Sequence, residues 1–264
     1  MTPPLSPDAR RALLTRAAAI ADEAGRIAAR AFRTGLDVEA KADASPVTMA
    51  DRETERALRA ALRDALPEAG LLGEEYGAAD LDRPLVWVVD PIDGTKSFIS
   101  GMPLFGTLVG LLEHGTPVAG VIHMPALGET FAGGAGLGAW LNDRPVSCRP
   151  TRALAEAFVC CNDLGGLIRA EPEAARRLLD APRILRPTGD CYPYGQLAAG
   201  WVDAVVDFGL QPYDYLPVVG VVEGAGGVIT DWRGHPLTRQ SDGRVVAAAT
   251  PDLHAALLRV LEAA

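Results

Sequence analysis

No Cys-x-x-Cys pair, no Gly-x-Ser-x-Gly, no Gly-x-x-x-x-Gly-Lys-[Ser/Thr] and no His-Glu-x-x-His occurs in these 264 residues. The first absence matters because the four cysteines, at positions 148, 160, 161 and 191, have no histidine cluster beside them. This argues against a zinc site or a disulfide framework, and free thiols in a reducing compartment are expected. The other absences remove a serine-nucleophile elbow, a P-loop and a zincin centre. The four histidines (His114, His123, His235 and His254) are scattered, and two adjoin turn glycines, so each reads as a surface or core residue. The glycine-rich GGAGLG at 133–138 lacks both the spacing and the following helix of a dinucleotide fingerprint.

Positive charge is also short. Lys and Arg number 25 against 34 Asp and Glu, giving −9 and a pI near 5.0. That balance argues against nucleic acid or an anionic membrane as partner. No apolar run approaches the roughly 18–20 residues that span a bilayer, and the N-terminus lacks a basic-then-apolar signal pattern. A soluble, cytoplasmic protein acting on a small molecule is expected. A phosphorylated substrate stays compatible with the acidic chain, because a bound divalent cation reverses the local field.

What is present is apolar and periodic. Hydrophobic residues make up 48% of the chain, enough for a sizeable core. Leu13, Leu14, Ala17, Ile20, Ala24, Ile27, Ala28 and Ala31 recur at helical spacing between Ser6 and Arg33, and Met49–Leu66 carries Leu58, Leu62 and Leu66 on one side. Strands are expected at Leu71–Leu72, Leu85–Val89, Thr107–Leu112, Val118–His123, Ala204–Asp207, Val228–Trp232 and Val245–Ala249, with more around Thr130 and the GGAGLG segment. Helices are expected at Pro172–Asp180, Tyr194–Gly200, after Asp214 and at Pro251–Glu262. The pattern restarts at Ser147–Thr151, which divides the chain into halves at 1–147 and 148–264. The class is α/β or α+β, with a sheet in each half.

Carboxylates are the remaining chemistry. Glu74–Glu75, Asp90, Asp93 and Asp214 each follow an apolar strand or open a helix, where α/β proteins build sites. Oxygen ligands of this kind suit Mg²⁺ or Mn²⁺. Pro91 stiffens the loop so that Asp90, Asp93 and the Ile92 carbonyl can converge on one point. Gly94 and Thr95 begin a short helix-like segment whose N–H groups suit a phosphate, and the Thr95 hydroxyl can orient an attacking water. Asp-Gly-Thr alone is equally an ordinary turn.

GEE at Gly73–Glu75, WVVDPIDGT at Trp87–Thr95, GLGAWLN at Gly136–Asn142, and Tyr213-Asp214 followed by Ala225-Gly226-Gly227 together resemble the signatures of the inositol monophosphatase-like, magnesium-dependent phosphatases. The likeness runs over nearly the whole chain. It implies a layered α-β-α-β-α sandwich, a homodimer, and hydrolysis of small phosphate monoesters with two or three Mg²⁺ ions, Mn²⁺ being a possible substitute. It also implies that Glu74, Asp90, the Ile92 carbonyl, Asp93 and Asp214 bind metal, and that Gly94 and Thr95 hold phosphate. Asp51 matches the acid that partners the threonine in activating water, so Thr95, Asp51 and Glu74 form the expected catalytic group. Lys41 matches a basic residue on the mobile loop over the site. The chain departs from the pattern after Asp214, where Asp-x-Ala-Ala-Gly becomes Asp214-Tyr-Leu-Pro-Val. Pro217 is then expected in the first helical turn. Glu223 stands one position early in the Glu-Ala-Gly-Gly pattern and is left out of the site.

Three stretches resemble the histidinol-phosphate phosphatase branch: TKSFISGMPLFGTL from Thr95, Gly189–Gly195 and Leu210–Asp214. That substrate carries an ammonium and an imidazole, so its pocket should offer acids and aromatic faces. Asp190 and Asp207 are the candidate acids, Tyr192 and Tyr194 the candidate stacking partners, and Asn162 and Asp163 weaker candidates. Tyr192 and Tyr194 are equally well read as packing residues at a helix start, and Asp207 as a strand end. The alternatives are an inositol-1-monophosphatase or adenosine 3′,5′-bisphosphate nucleotidase and, more remotely, a catalytically silent binding protein.

Overall fold

The Ser6 hydroxyl accepts the Ala9 N–H at 3.2 Å and caps helix α1 (Pro7–Ala31), with Pro7 in the first turn, where its missing N–H costs nothing. The computed structural model describes residues 4–35, 38–40, 46–187 and 189–262. An antiparallel pair, β1 (Val38–Ala40) and β2 (Pro46–Thr48), leads into α2 (Met49–Ala65). A capping box starts α2: the Asp51 carboxylate accepts the Thr48 N–H at 2.8 Å, and Thr48 Oγ1 caps in return.

Eight strands form the first sheet: β3 (Gly70–Gly73), β4 (Gly77–Ala79), β5 (Leu85–Asp93), β6 (Gly106–Glu113), β7 (Thr116–Met124), β8 (Glu129–Gly134), β9 (Gly138–Leu141) and β10 (Arg144–Val146). A short helix, α3 (Thr95–Ile99), follows β5. The order is β10-β9-β8-β7-β6-β5-β3-β4, antiparallel except where β3 runs parallel to β5. Residues 85–92 of β5 are all buried, which explains the apolar run from Leu85 to Val89.

The second sheet holds β11 (Phe158–Cys161), β12 (Ile184–Pro187), β13 (Ala204–Asp207), β14 (Val228–Asp231) and β15 (Val245–Ala248), in the order β12-β11-β13-β15-β14. Its helices are α4 (Leu164–Ala170), α5 (Pro172–Asp180), α6 (Tyr192–Ala198), α7 (Pro212–Gly224) and α8 (Pro251–Leu261). Helices α1 and α2 cover one face of the large sheet; α6 and α7 lie between the sheets; α5 and α8 cover the far face of the small one. The result is the expected α-β-α-β-α sandwich. The largest core cluster mixes Val86, Leu108 and Phe131 with Cys160, Val205 and Val245, so the two halves share one interior.

Helix α7 is apolar on every side because it is enclosed by both sheets. It packs so close to β7 that a Cβ at Gly120 would fall 1.8 Å from the Pro217 carbonyl oxygen. Pro217 sits inside the helix, past the first turn expected for it. The helix begins at Pro212 and not at Asp214, since Gln211 and Asp214 form its capping box.

Candidate active site

The end of β5 is where the buried strand meets water. Asp90 Oδ1 accepts the Ile92 N–H at 3.0 Å, Thr107 Oγ1 donates to the Pro91 carbonyl at 2.9 Å, and the ladder to β6 shifts register between Asp90 and Asp93. This local kink turns both aspartates to one side. Asp214 arrives in the first turn of α7, held by the Gln211 N–H on its Oδ2 at 2.7 Å. One carboxylate oxygen from each of Asp90, Asp93 and Asp214 lies within 4.8 Å of the other two. Glu74, just past β3, joins them in a cavity of about 310 Å³ that Ile92, Gly94, Thr95 and Asp190 also line.

Burial, reinforced by the Glu74, Asp93 and Asp214 carboxylates, holds the Asp90 carboxyl well above the usual carboxylate range. Burial and the charges of Asp214 and Asp190 do the same to Asp93, against the opposing hydrogen bond from Cys191. Several carboxylates forced together in a low-dielectric pocket repel one another, and a hard divalent cation reverses the repulsion. The all-oxygen donor set, its spacing and its burial therefore fit Mg²⁺ or Mn²⁺.

Asp51 and Thr95 are not joined by a hydrogen bond. Thr95 Oγ1 donates to the Ile92 carbonyl at 3.2 Å, while Asp51 Oδ2 is taken by Thr48. Asp51 is buried, its Oδ1 has no hydrogen-bond partner among the described residues, and burial raises its pKa. Lys41 lies outside the described residues.

A second cavity of about 350 Å³ adjoins the first and shares Asp93, Lys96, Asp190, Gly209 and Asp214 with it. Its far wall is a polar network. Asp207, at the end of β13, accepts the Tyr194 hydroxyl at 2.7 Å and both the backbone and side-chain N–H of Asn162, at 3.2 and 2.7 Å. Despite these bonds, burial pushes the Asp207 carboxyl up to about 7. Asp163 lines the same cavity and caps α4 through the Gly166 N–H at 2.8 Å. Tyr194 is 2% exposed, so its ring is core and only its hydroxyl faces the network. Tyr192 is not brought to either cavity: its hydroxyl donates to Glu129 at 3.0 Å and its ring meets the edge of Phe131. At the start of α6, neighbouring side chains diverge by the helical turn, and Tyr192 takes the outward direction.

Sequence reasoning missed Ser97 and Cys191. Ser97 Oγ donates to Asp190 Oδ2 at 2.5 Å, and the Cys191 N–H donates to Asp93 Oδ2 at 2.7 Å. Asp190 adopts φ +47°, which aims its carboxylate back at Gly94. Both lie in stretches that the resemblance singled out, TKSFISGMPLFGTL and Gly189–Gly195, but nothing there marked Ser97 itself, and Cys191 acts through its backbone, which no side-chain pattern reveals.

The model of the inositol monophosphatase family matches residues 10–264. The chain belongs to this family. The inositol monophosphatase family consists of metal-dependent phosphatases, generally using Mg²⁺, that act on small phosphorylated metabolites. The chain is 39% identical to the bifunctional phosphatase IMPL2, a chloroplastic protein of Arabidopsis thaliana, over 92% of this chain and 73% of that one. It is 35% identical to the histidinol-phosphatase of Chlorobaculum parvum, over 92% and 93%. Among solved structures, an inositol monophosphatase from Zymomonas mobilis superposes with a TM-score of 0.87 at 38% identity, covering 97% of this chain and 99% of that one. No helix among the described residues is long and apolar enough to cross a membrane.

Proposed function

We propose that this family member hydrolyses histidinol phosphate to histidinol and phosphate, a step of histidine biosynthesis, and does so with Mg²⁺. The observation that carries the substrate is the second cavity. Asp163, Asp190 and Asp207 line it beside the metal-site carboxylates, with Lys96 as the only basic residue of the wall among the described residues. Burial raises the pKa of both Asp190 and Asp207. Such a pocket favours an ester whose organic part is cationic and donates hydrogen bonds. The ammonium and imidazole of histidinol phosphate have that chemistry, and the likeness to a histidinol-phosphatase supports it.

In this reading Glu74, Asp90, the Ile92 carbonyl, Asp93 and Asp214 hold two or three ions. When bound, Mg²⁺ supplies positive charge to the phosphate oxygens and acidifies water. The residues of the chain do the rest. Gly94 and Thr95 seat the phosphate, Thr95 orients the attacking water, and Asp51, whose Oδ1 has no partner among the described residues, takes up the proton. Asp190 and Asp207 receive the cationic end. Residues 1–147 thus supply most ligands, and 148–264 supply Asp214 and the pocket. The family resemblance extends the proposal to a homodimer, which sedimentation checks, and the sequence pattern to a cytoplasmic location.

The likeness to the Zymomonas inositol monophosphatase favours a second reading, an inositol-1-phosphate hydrolase. One assay decides between them: phosphate release with Mg²⁺ from histidinol phosphate, inositol 1-phosphate and adenosine 3′,5′-bisphosphate. At least tenfold higher kcat/KM on histidinol phosphate is expected. Equal or faster turnover of either other ester overturns the proposal.

A further inference from the structure

Glu55 stands one helical turn beyond Asp51 on α2, and its side chain is fully buried. A buried carboxylate is costly unless every oxygen is engaged. Here they are engaged, and by one short segment. Glu55 Oε2 accepts the Glu75 N–H at 2.6 Å; Oε1 accepts the Tyr76 N–H at 3.2 Å and Arg59 Nε at 2.7 Å. Arg59 continues the clamp by donating to the Gly77 carbonyl, and its guanidinium lies 5.8 Å from the centre of the Tyr76 ring. Arg56 donates to the Tyr76 hydroxyl at 2.9 Å. Apart from the Glu55–Arg59 pair, all of these contacts end on residues 75–77, immediately after Glu74.

The other side of Glu74 is fixed as closely. A Cβ at Gly73 would fall 2.2 Å from Glu55 Oε1, so only glycine lets the end of β3 pass this carboxylate. Glu74 is therefore bracketed by Glu55 on both sides in the chain, while Glu74 itself lines the cavity with Asp90 and Asp214. A buried ion pair contributes little net stability compared with apolar packing, but it fixes geometry, because its partners tolerate few arrangements.

We propose that Glu55 is a positioning residue: with Arg59, it fixes the backbone at 73–77 so that the Glu74 carboxylate is held toward the Asp90–Asp93–Asp214 cluster. Helix α2 also carries Asp51 in its capping box, so one rigid element sets the places of both acids. The inference rests on the reading of Glu74 as a metal ligand.

A double-mutant cycle on metal binding tests it. Mg²⁺ is titrated calorimetrically into metal-stripped wild type, Glu55→Gln, Glu74→Gln and the double variant, and Mn²⁺ binding is followed in parallel by loss of the free-ion EPR signal. Glu55→Gln should weaken metal binding about tenfold, the scale seen when residues supporting metal ligands are changed. In the Glu74→Gln background it should add nothing. Unchanged affinity in Glu55→Gln, or an equal loss in both backgrounds, overturns the proposal, the latter because Glu55 would then act on the fold at large. Wild-type affinity in Glu74→Gln shows instead that the ligand assignment failed, and the inference falls with it. Should circular dichroism show Glu55→Gln unfolded, Glu55→Asp, which keeps the charge but withdraws it by one methylene, is carried through the same cycle under the same criteria.

Discussion

Ser97 donates its hydroxyl hydrogen to Asp190 across the seam between the two halves of the chain, at 2.5 Å. Ser97 belongs to α3, next to the candidate phosphate seat, and Asp190 to the turn before α6. The bond lowers the Asp190 pKa, against the burial that raises it. A hydrogen bond to a charged, largely buried group contributes about 1.5–3 kcal/mol. Ser97→Ala should therefore lower kcat/KM on the cationic ester by roughly tenfold, the lower end of that range. The same variant should shift the acidic limb of the kcat/KM–pH profile upward, because Asp190 loses a partner that favours its charged form. An unmoved profile would count against a role for Asp190 in the pocket.

Asp93 is the junction of the site: it belongs to the carboxylate cluster and also receives the Cys191 N–H. Asp93→Asn keeps an oxygen for that N–H, so the fold should survive with a melting temperature near that of wild type. Removing one full negative charge from the cation's cage should lower kcat by several orders of magnitude. Near-wild-type turnover would show that the metal site lies elsewhere.

The unequal legibility of the sequence has a physical source. Asp90 and Asp93 could be read because the apolar run Leu85–Val89 stops at the first of them and the second follows three residues later, an unusual place for two acids. Asp214 could be read as a helix-opening acid for the same kind of reason. Glu55 could not: on α2 it is one charged residue among many, and its burial arises only when Gly73 comes against it from β3. Tyr192 and Tyr194 look alike in sequence, but two residues of helical rotation send one hydroxyl to Glu129 and the other to Asp207. The strands β11 and β12 are short and lack alternation, so their pairing is settled by the sheet around them.

The difference between the two tyrosines is measurable. Tyr192→Phe removes a hydroxyl that reaches only Glu129, outside both cavities. Its kcat/KM should stay within about twofold of wild type, and stability should fall by about 1 kcal/mol, the usual value for one hydrogen bond. A loss of tenfold or more in kcat/KM would bring Tyr192 back into the substrate site.

Asp207 gives a pH dependence of stability. Burial raises its folded pKa to about 7, above the ordinary aspartate value of 3.8. The group therefore contributes stability that is full below about 3.8 and is lost as pH rises through about 7. In the metal-free protein, Asp207→Asn should flatten the fall in melting temperature between these limits. Above pH 7 the variant should lose less than its three broken or altered hydrogen bonds suggest, because no buried charge remains to be formed. A parallel, uniformly lowered curve for the variant would mean that Asp207 is ionised throughout and that its network already stabilises the charge.

Metal removal should act on stability as well as on turnover, because the carboxylates of Asp90, Asp93 and Asp214 repel one another when no cation lies between them. Chelation should abolish phosphate release. Re-addition of Mg²⁺ at a hundred times its dissociation constant should raise the unfolding free energy by about 2.7 kcal/mol for one site. The sign of the pH effect separates this stabilisation from a nonspecific ionic one. Burial raises the pKa of Asp90 and Asp93, so protons compete with the cation, and the Mg²⁺-induced rise in melting temperature should shrink as pH falls. An equal rise with Na⁺ at matched ionic strength, or one that does not change with pH, would mean that the cluster does not bind the ion.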